Sequence, residues 1–381
     1  MIQLTEEQKM VQQLAREFAQ NEIAPRAAEL DETGEFPLDN MQKMGELGLL
    51  GVPFSEDYGG AGLDTLSFAL VLEELGAACG STALSVAAHA SLCCTPIYLF
   101  GNEEQKQNYL PDLLTGKKLG SFCLTEPLAG SDAASMQTRA ARDGDEYVIN
   151  GSKIFITNAG YADVFVLFAK TDPEKGRDGI SAFIVEKGMP GFHVGKKEDK
   201  MGLRGSDTRQ ISIEGLRVPR ENLLGTENDG FKIALATLDG GRVGIGAMSV
   251  GLARAAMETA VRYAKERVAF GRPIADFQAI RWYIADMATQ IDAARLLVWR
   301  SAILRDSGKP YTKEAAMAKL FASEMAMRAA DRAIQILGGY GYIRDYPVER
   351  IFRDTKLMEI GEGTSEIQRL VISREVLKEI Q

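Results

Sequence analysis

Residues 146–158, EYVINGSKIFITN, decide the fold, because the chain changes its period here. β-Branched and aromatic residues alternate on both sides of Asn150-Gly151, the dipeptide that most often closes a two-residue hairpin. The stretch therefore predicts two strands meeting at Asn150-Gly151, and Asp143-Gly144 predicts another turn just before them. Downstream, ADVFVLFAKT (162–171), GISAFIVEKG (179–188) and TRQISIEGLRVP (208–219) continue the pattern as further strands. Residues 121–229 are thus expected to form a small all-β domain, a barrel or a sandwich.

On either side the period is helical. In residues 1–120 apolar positions recur at helical spacing over 8–22, 39–49, 66–78 and 104–115, and Thr5 with Gln8 has the spacing of a capping box. The loop EDYGGAGLD (56–64) is glycine-rich but matches no nucleotide fingerprint. In residues 230–381 the Ala/Met/Leu-rich stretches 231–238, 253–270, 279–308 and 312–339 predict a helical bundle, with Gly308 and Gly338 as helix stops. The order is a helical domain (1–120), a β domain (121–229) and a helical domain (230–381), an α+β fold.

Composition narrows the function. The 381 residues carry a net charge of -9 and no basic tract, so nucleic-acid binding has no support. Cys79, Cys93, Cys94 and Cys123 form no C-x-x-C pair and fall in apolar surroundings, which reads as buried free thiols. His89 and His193 are the only histidines, too few for a zinc site or a Ser-His-Asp triad, and no metal is expected. His89 reads as a core or pocket-lining residue and His193 as a strand-end surface residue. Residues 75–102 carry no charge, but the run is rich in small residues and holds Pro96, so a buried helix is expected rather than a membrane span. No G-x-G-x-x-G occurs, and GTENDGFK (225–232) lacks the Lys-Ser/Thr pair of a P-loop. A nucleotide cofactor would need another kind of site. The N-terminus shows no signal or transit pattern and begins at Met1, from which a bacterial cytoplasm is expected.

One acid stands out. In LMEIGEGTSEIQRL (357–370), Glu362 sits between Gly361 and Gly363, and Ser365 with Gln368 has capping-box spacing, which starts a helix near Glu366. A carboxylate between two glycines is a candidate proton acceptor; taken alone, the segment reads better as a helix-initiating turn with a solvated acid.

FCLTEPLAGSD (122–132), RVAFGRPIADFQ (267–278), QILGGYGY (335–342) and EIGEGTSEIQR (359–369) together resemble the acyl-CoA dehydrogenases, and the resemblance runs from about residue 5 to 379. It implies an N-terminal helical domain, a middle β-barrel and a C-terminal four-helix bundle, with FAD as cofactor. Phe122, Leu124 and Thr125 would contact the flavin ring. Gly130 and Ser131 would lie at its pyrophosphate, Ser131 touching the CoA chain as well. Phe155, Ile156 and Thr157 would pack on and hydrogen-bond the flavin, with Phe155 where many relatives carry Trp. Thr364 and Glu366 would complete the cofactor site. Arg267, Phe270, Gln278, Gln335, Gly338 and Gly339 would reach the FAD of a neighbouring subunit, which implies a homotetramer built as a dimer of dimers.

On the substrate side the resemblance implies Asp239, Gly240, Gly241, Arg242 and Gly363. One branch of the family carries its catalytic acid at the position of Gly241; glycine cannot serve, so the base would be Glu362, with Glu359 and Glu366 as alternatives. The implied reaction is α,β-dehydrogenation of an acyl-CoA, with hydride passing to flavin N5 and electrons to electron-transfer flavoprotein. A short-chain, butyryl-like substrate is expected. Gly361 stands where many short- and medium-chain relatives have Tyr, which leaves branched, cyclic or aromatic acyl groups open. The absence of Lys and Arg from 75–102 disfavours a dicarboxylyl substrate, and Ser91 offers no second base. The reverse enoyl-CoA reduction, an oxygen-using oxidase (which the length disfavours) and an inactive flavin- and CoA-binding scaffold complete the alternatives.

Overall fold

The period change near residue 120 is a change of architecture. The computed structural model describes residues 3–380; Met1, on which part of the localisation argument rests, lies outside them. The first helical part holds α1 (Glu6–Phe18), α2 (Ala27–Thr33), α3 (Leu38–Glu46), α4 (Thr65–Ala78), α5 (Gly80–Ala87), α6 (Thr95–Phe100) and α7 (Glu103–Leu114). The predicted capping box is present at α1: Thr5 Oγ1 accepts from the Gln8 N–H and the Gln8 side chain accepts from the Thr5 N–H. A π-helical turn joins α5 to α6, so the uncharged run becomes a helix from Gly80 to Phe100, long and apolar enough to cross a membrane but mostly buried inside the protein. Adjacent carboxylates of α4, Glu73 and Glu74, are buried yet held by arginines from elsewhere: Arg16 on α1 and Arg254 on Glu74, and Arg295 on Glu73. Arg254 and Arg295 belong to the C-terminal helices, so these ion pairs tie the two helical parts together.

The middle part is an eight-stranded sheet. Its strands are β1 (Gly120–Cys123), β2 (Arg139–Asp143), β3 (Glu146–Thr157), β4 (Val164–Lys170), β5 (Ile180–Glu186), β6 (Phe192–Lys197), β7 (Thr208–Pro219) and β8 (Leu223–Leu224). The order is β6-β7-β3-β2-β4-β5-β8, with β1 parallel to β4. The sheet curls around its own core, since Tyr147 of β3 meets Phe183 of β5 at 5.0 Å between ring centroids and Phe165 of β4 meets Phe192 of β6 at 4.8 Å. β4, β5 and β7 lie where the sequence predicts them. β1, β2, β6 and the two-residue β8 were not foreseen as strands.

The Asn150-Gly151 hairpin does not exist. The turn falls earlier, where Asp143 pairs with Glu146 and Gly144 takes φ 62°. Asn150-Gly151 lies inside the continuous β3, at a register shift against β7. Two contacts account for it. Asn150 Oδ1 accepts the N–H of Gly215, and a Cβ on residue 151 would come within 2.7 Å of Thr138 Cα. Glycine is needed here for close approach of backbones, not for a turn.

The C-terminal part opens with α8 (Gly230–Glu266), one helix of 37 residues running through the glycines of LDGGRVGIG and joining stretches that read as separate. The crossing with α4 explains some of those glycines. A Cβ at Gly251 would collide with the Glu73 carbonyl, and one at Gly76 would come within 2.8 Å of the Met248 carbonyl. After α8 come the hairpin β9 (Val268–Ala269) and β10 (Arg272–Pro273), then α9 (Gln278–Asp306), α10 (Thr312–Leu337), α11 (Val348–Thr355) and α12 (Ser365–Glu379). Helices α8, α9, α10 and α12 form the bundle, and Gly308 and Gly338 follow α9 and α10 with φ 66° and 61°. All four cysteines are buried and free. His89 is fully buried and pins α7 to β1: Nδ1 accepts from the Gly120 N–H and Nε2 lies 3.0 Å from the Leu113 carbonyl. Burial pushes its pKa down to about 4, so it stays neutral. His193 is exposed on β6.

Candidate active site

Two loops and one helix carry most of the sequence-derived residues. The first loop leaves β1 and carries Leu124, Thr125 and Glu126. Behind it lies Lys153 of β3, fully buried, whose Nζ donates to Glu126 Oε1 at 2.8 Å and to the Leu124 carbonyl at 3.2 Å. Glu126 also accepts the N–H groups of Gln137 and Thr138. Burial alone would raise the Glu126 carboxyl, but Lys153 and these donors outweigh it and hold the group below the usual carboxylate range. The Thr125 carbonyl accepts the Ile154 N–H, which draws β3 out of register with β7.

Phe155 lies within this bulge, at φ 59° and 63 % exposed. A bulky side chain at positive φ is a strained arrangement, and such outliers collect where a ligand is held. Phe122, Thr125 and Thr157 are half-buried, and Gly130 and Ser131 lie exposed further along the loop. Gly130 has open space where a Cβ would stand. A flat ring system with polar edges and a phosphate tail fits this ledge: an exposed aromatic to stack on, hydroxyls at its rim, an open Gly-Ser turn beyond. Leu124 and Ile156 are buried, Ile156 in the core of the sheet, so their side chains point elsewhere and only their backbone can take part.

The second loop carries Glu362, at φ 55°, followed by Gly363 at φ 96°. The expected capping box is displaced by one residue. Thr364 is the N-cap of α12, its hydroxyl accepting from Ile367 N–H, and the helix begins at Ser365. Gln368 is not a capping partner; its Nε2 turns back onto the carbonyls of Glu362 and Gly363. Glu359 lies in the preceding turn paired with Lys356, and Glu366 is exposed in the first turn of α12. Of the three acids in this segment, Glu362 alone has an oxygen, Oε2, that is buried with no hydrogen-bond partner. Burial pushes its pKa up to about 7, against the opposing pull of Lys319 and Arg242.

The helix is α8. A Cβ at Gly241 would land on Glu362 Oε2 and lie 3.0 Å from Leu92 Cδ2; one at Gly244 would meet Leu72 and Ser91. The carboxyl group therefore lies directly against a bare stretch of α8, facing the uncharged helix that ends at Phe100. Next to it Arg242 is buried and paired with Asp239, which also accepts from Thr312 Oγ1 at 2.6 Å. Arg242 Nε has no partner. Gly240 abuts Arg305. Gly361 differs from its neighbours: a Cβ there would meet nothing closer than 3.5 Å.

Arg267, Phe270, Gln278, Gln335, Gly338 and Gly339 do not join this cluster. All are exposed. Arg267, Gly338 and Gly339 line a separate pocket of about 450 Å³ with Tyr263, Ile274 and Tyr340. Phe270 is 95 % exposed at the tip of the β9–β10 hairpin, where both Phe270 and Gly271 take positive φ. Two residues of the site escaped the sequence reading: Lys153, and Lys319 of α10, fully buried with Nζ donating to the Gly363 carbonyl at 2.7 Å. No group of His, Cys, Asp and Glu able to hold a metal occurs among the described residues.

Comparison with known proteins agrees along the whole chain. Family models match the N-terminal domain of acyl-CoA dehydrogenases over residues 5–117, the middle domain over 121–216 and the C-terminal domain over 228–377. A short-chain-specific acyl-CoA dehydrogenase of Clostridium acetobutylicum is 53 % identical over 375 residues, 98 % of this chain and 99 % of that one. Butyryl-CoA dehydrogenase from Megasphaera elsdenii superposes with TM-score 0.97 at 47 % identity, over 99 % of this chain and all of that one. A chain solved in work on the electron transferring flavoprotein of Acidaminococcus fermentans superposes with TM-score 0.98 at 52 % identity, over 99 % of this chain and all of that one.

Proposed function

This chain belongs to the acyl-CoA dehydrogenase family, whose cofactor is FAD, and on that footing we propose that it oxidises a short-chain acyl-CoA to the trans-2-enoyl-CoA with Glu362 as the base. The observation that carries the reading is the orphaned Oε2 of Glu362, buried against Gly241 where no side chain intervenes. A carboxylate accepting a proton from carbon needs a free lone pair and a pKa near the working pH, and Glu362 has both. The left-handed backbone at Glu362 and Gly363 is held by Gln368 and Lys319, so the base is fixed before substrate arrives.

Phe155, Phe122, Thr125 and Thr157 would hold the isoalloxazine ring, with Gly130 and Ser131 at the pyrophosphate. FAD, when bound, supplies the acceptor for the β-hydrogen as hydride. Asp239 and Arg242 orient the CoA portion at the end of the bare stretch of α8, and the backbone N–H of Glu362 steadies the thioester oxygen as the α-proton leaves. Leu92 and Leu72 exclude water from the acyl chain. Glu359 and Glu366 do not compete for the role, one being paired and the other exposed.

The set at Arg267, Phe270 and Gly338-Gly339 serves a neighbouring subunit's FAD in a homotetramer. The protruding, apolar hairpin tip supports this, as does the pocket standing apart from the β1–β3 ledge. Electron-transfer flavoprotein is the proposed acceptor, supported by the near-identical fold solved in work on such a flavoprotein. A second substrate class, branched acyl chains, is favoured by the missing side chain at Gly361, where a Cβ would meet only Leu357, at 3.5 Å or more. Anaerobic mixing with butyryl-CoA tests the assignment. Glu362→Gln should bind FAD and the thioester yet bleach the flavin slower by roughly three to four orders of magnitude; near-wild-type bleaching would refute it.

A further inference from the structure

Lys319 is buried in the middle of α10, in the Ala-rich segment AAMAKLFAS, with Ala315, Ala316, Ala322 and Ser323 around it on the helix. A buried ammonium ordinarily sits on a carboxylate. Lys319 instead donates to a neutral oxygen, the carbonyl of Gly363. That carbonyl belongs to the residue directly after Glu362, in the peptide that leads into Thr364, and also accepts from Gln368 at 2.9 Å. Two donors converging on one carbonyl clamp a loop whose consecutive residues both take positive φ.

We propose that Lys319 is a positioning residue for Glu362, clamping the loop through the Gly363 carbonyl and facing the base with the nearest fixed cation of α10. The proposal rests on Glu362 being the base. The charged groups around the pair are few. Glu362 is faced by Lys319 from α10 and Arg242 from α8; Lys319 is acted on by Glu362, Arg242, Glu359 and Glu366. Burial brings Lys319 down to about 8, opposed first by Glu362, so it is still largely charged at neutral pH. Its charge works against the burial that raises Glu362. Without it the base would hold its proton to higher pH, and the neutral-pH population of ionised base would fall.

Lys319→Met removes both clamp and charge; Lys319→Gln removes the charge and keeps a donor. Both variants are compared with wild type and Glu362→Gln by stopped-flow bleaching with butyryl-CoA from about pH 5.5 to 9.5, with FAD content measured alongside. We expect both to retain FAD and their rate to rise with pH through a midpoint about one unit or more above wild type. The loss should be about fivefold or greater at pH 7 and shrink toward pH 9, with Lys319→Met slower than Lys319→Gln at every pH. A profile superimposable on wild type overturns the proposal. So does loss of FAD or folding in both variants, which would place Lys319 in the bundle's stability alone. If Glu362→Gln is inactive while both profiles are unshifted, only the role of Lys319 falls; if Glu362→Gln is active, the assignment of the base falls with it.

Discussion

Two lysines with no exposed surface stand behind the two loops of this site, and they are used in opposite ways. Lys153, in the sheet, donates to the Leu124 carbonyl and closes an ion pair with Glu126 at 2.8 Å; Glu126 in turn takes two backbone N–H groups. Lys319, in the bundle, donates to the Gly363 carbonyl, and the carboxyl group beside that loop, Glu362, keeps a buried oxygen free. The sheet side is saturated and therefore rigid. The bundle side withholds one hydrogen bond, and that omission leaves a basic lone pair available. Stability and reactivity are separated between the two loops by where a single carboxylate finds its partner.

The largest effect should come from breaking the saturated pair. Lys153→Met strands Glu126 in the interior, and removing one partner of a buried pair costs about 3–5 kcal/mol. Chemical denaturation and FAD retention should show a marked loss for Lys153→Met and a much smaller one for Lys319→Met; equal losses would erase the distinction. Next is Gly241→Ala. Its methyl must displace the Glu362 carboxyl, while overpacking of this kind costs about 1–3 kcal/mol. Turnover should fall well beyond what the shift in melting temperature explains, and a variant that keeps full turnover would show the carboxyl not to be held against α8.

The withheld hydrogen bond also has a pH signature. The folded-state pKa of Glu362 is raised to about 7, so its contribution favours the folded state at low pH and is lost as pH rises through 7. Glu362→Gln should therefore melt higher than wild type at pH 8, with the advantage fading toward pH 4. A constant difference across that range would mean the carboxyl is not buried in solution. The smallest expected effect is Gly361→Tyr. Residue 361 has an ordinary φ and a Cβ there would make only van der Waals contact with Leu357, so stability should barely change and butyryl-CoA turnover should stay within about a few-fold, while branched thioesters are excluded.

The same contrast explains what could be read in advance. Alternation of apolar residues placed β4, β5 and β7, and helical spacing with a capping box placed α1, because those signals are local. Asn150-Gly151 misled because its glycine answers to Thr138, a neighbour unseen in the local pattern. The stretches 231–238 and 253–270 read as separate, yet α8 runs through the glycines between them, where α4 and Glu362 press close. Glu362 was singled out as a candidate by resemblance, since its flanking glycines alone read better as a solvated turn; its buried, unpartnered oxygen appears only in the fold. The lysines were not singled out, although each carries a faint mark: Lys153 shares the inward parity of Tyr147 and Ile149, and Lys319 interrupts an alanine-lined helix face. A charge in an apolar pattern was the signal, and only the fold shows what it reaches.

The central claim is that the Glu362 carboxyl removes a proton from the carbon next to the thioester. It can be watched apart from oxidation, using an acyl-CoA with deuterium on the α carbon and no hydrogen on the β carbon. In the FAD-loaded enzyme we expect the label to wash into solvent at a rate that rises with pH through about 7, and to remain in place with Glu362→Gln. Washout from Glu362→Gln at the wild-type rate would contradict the account.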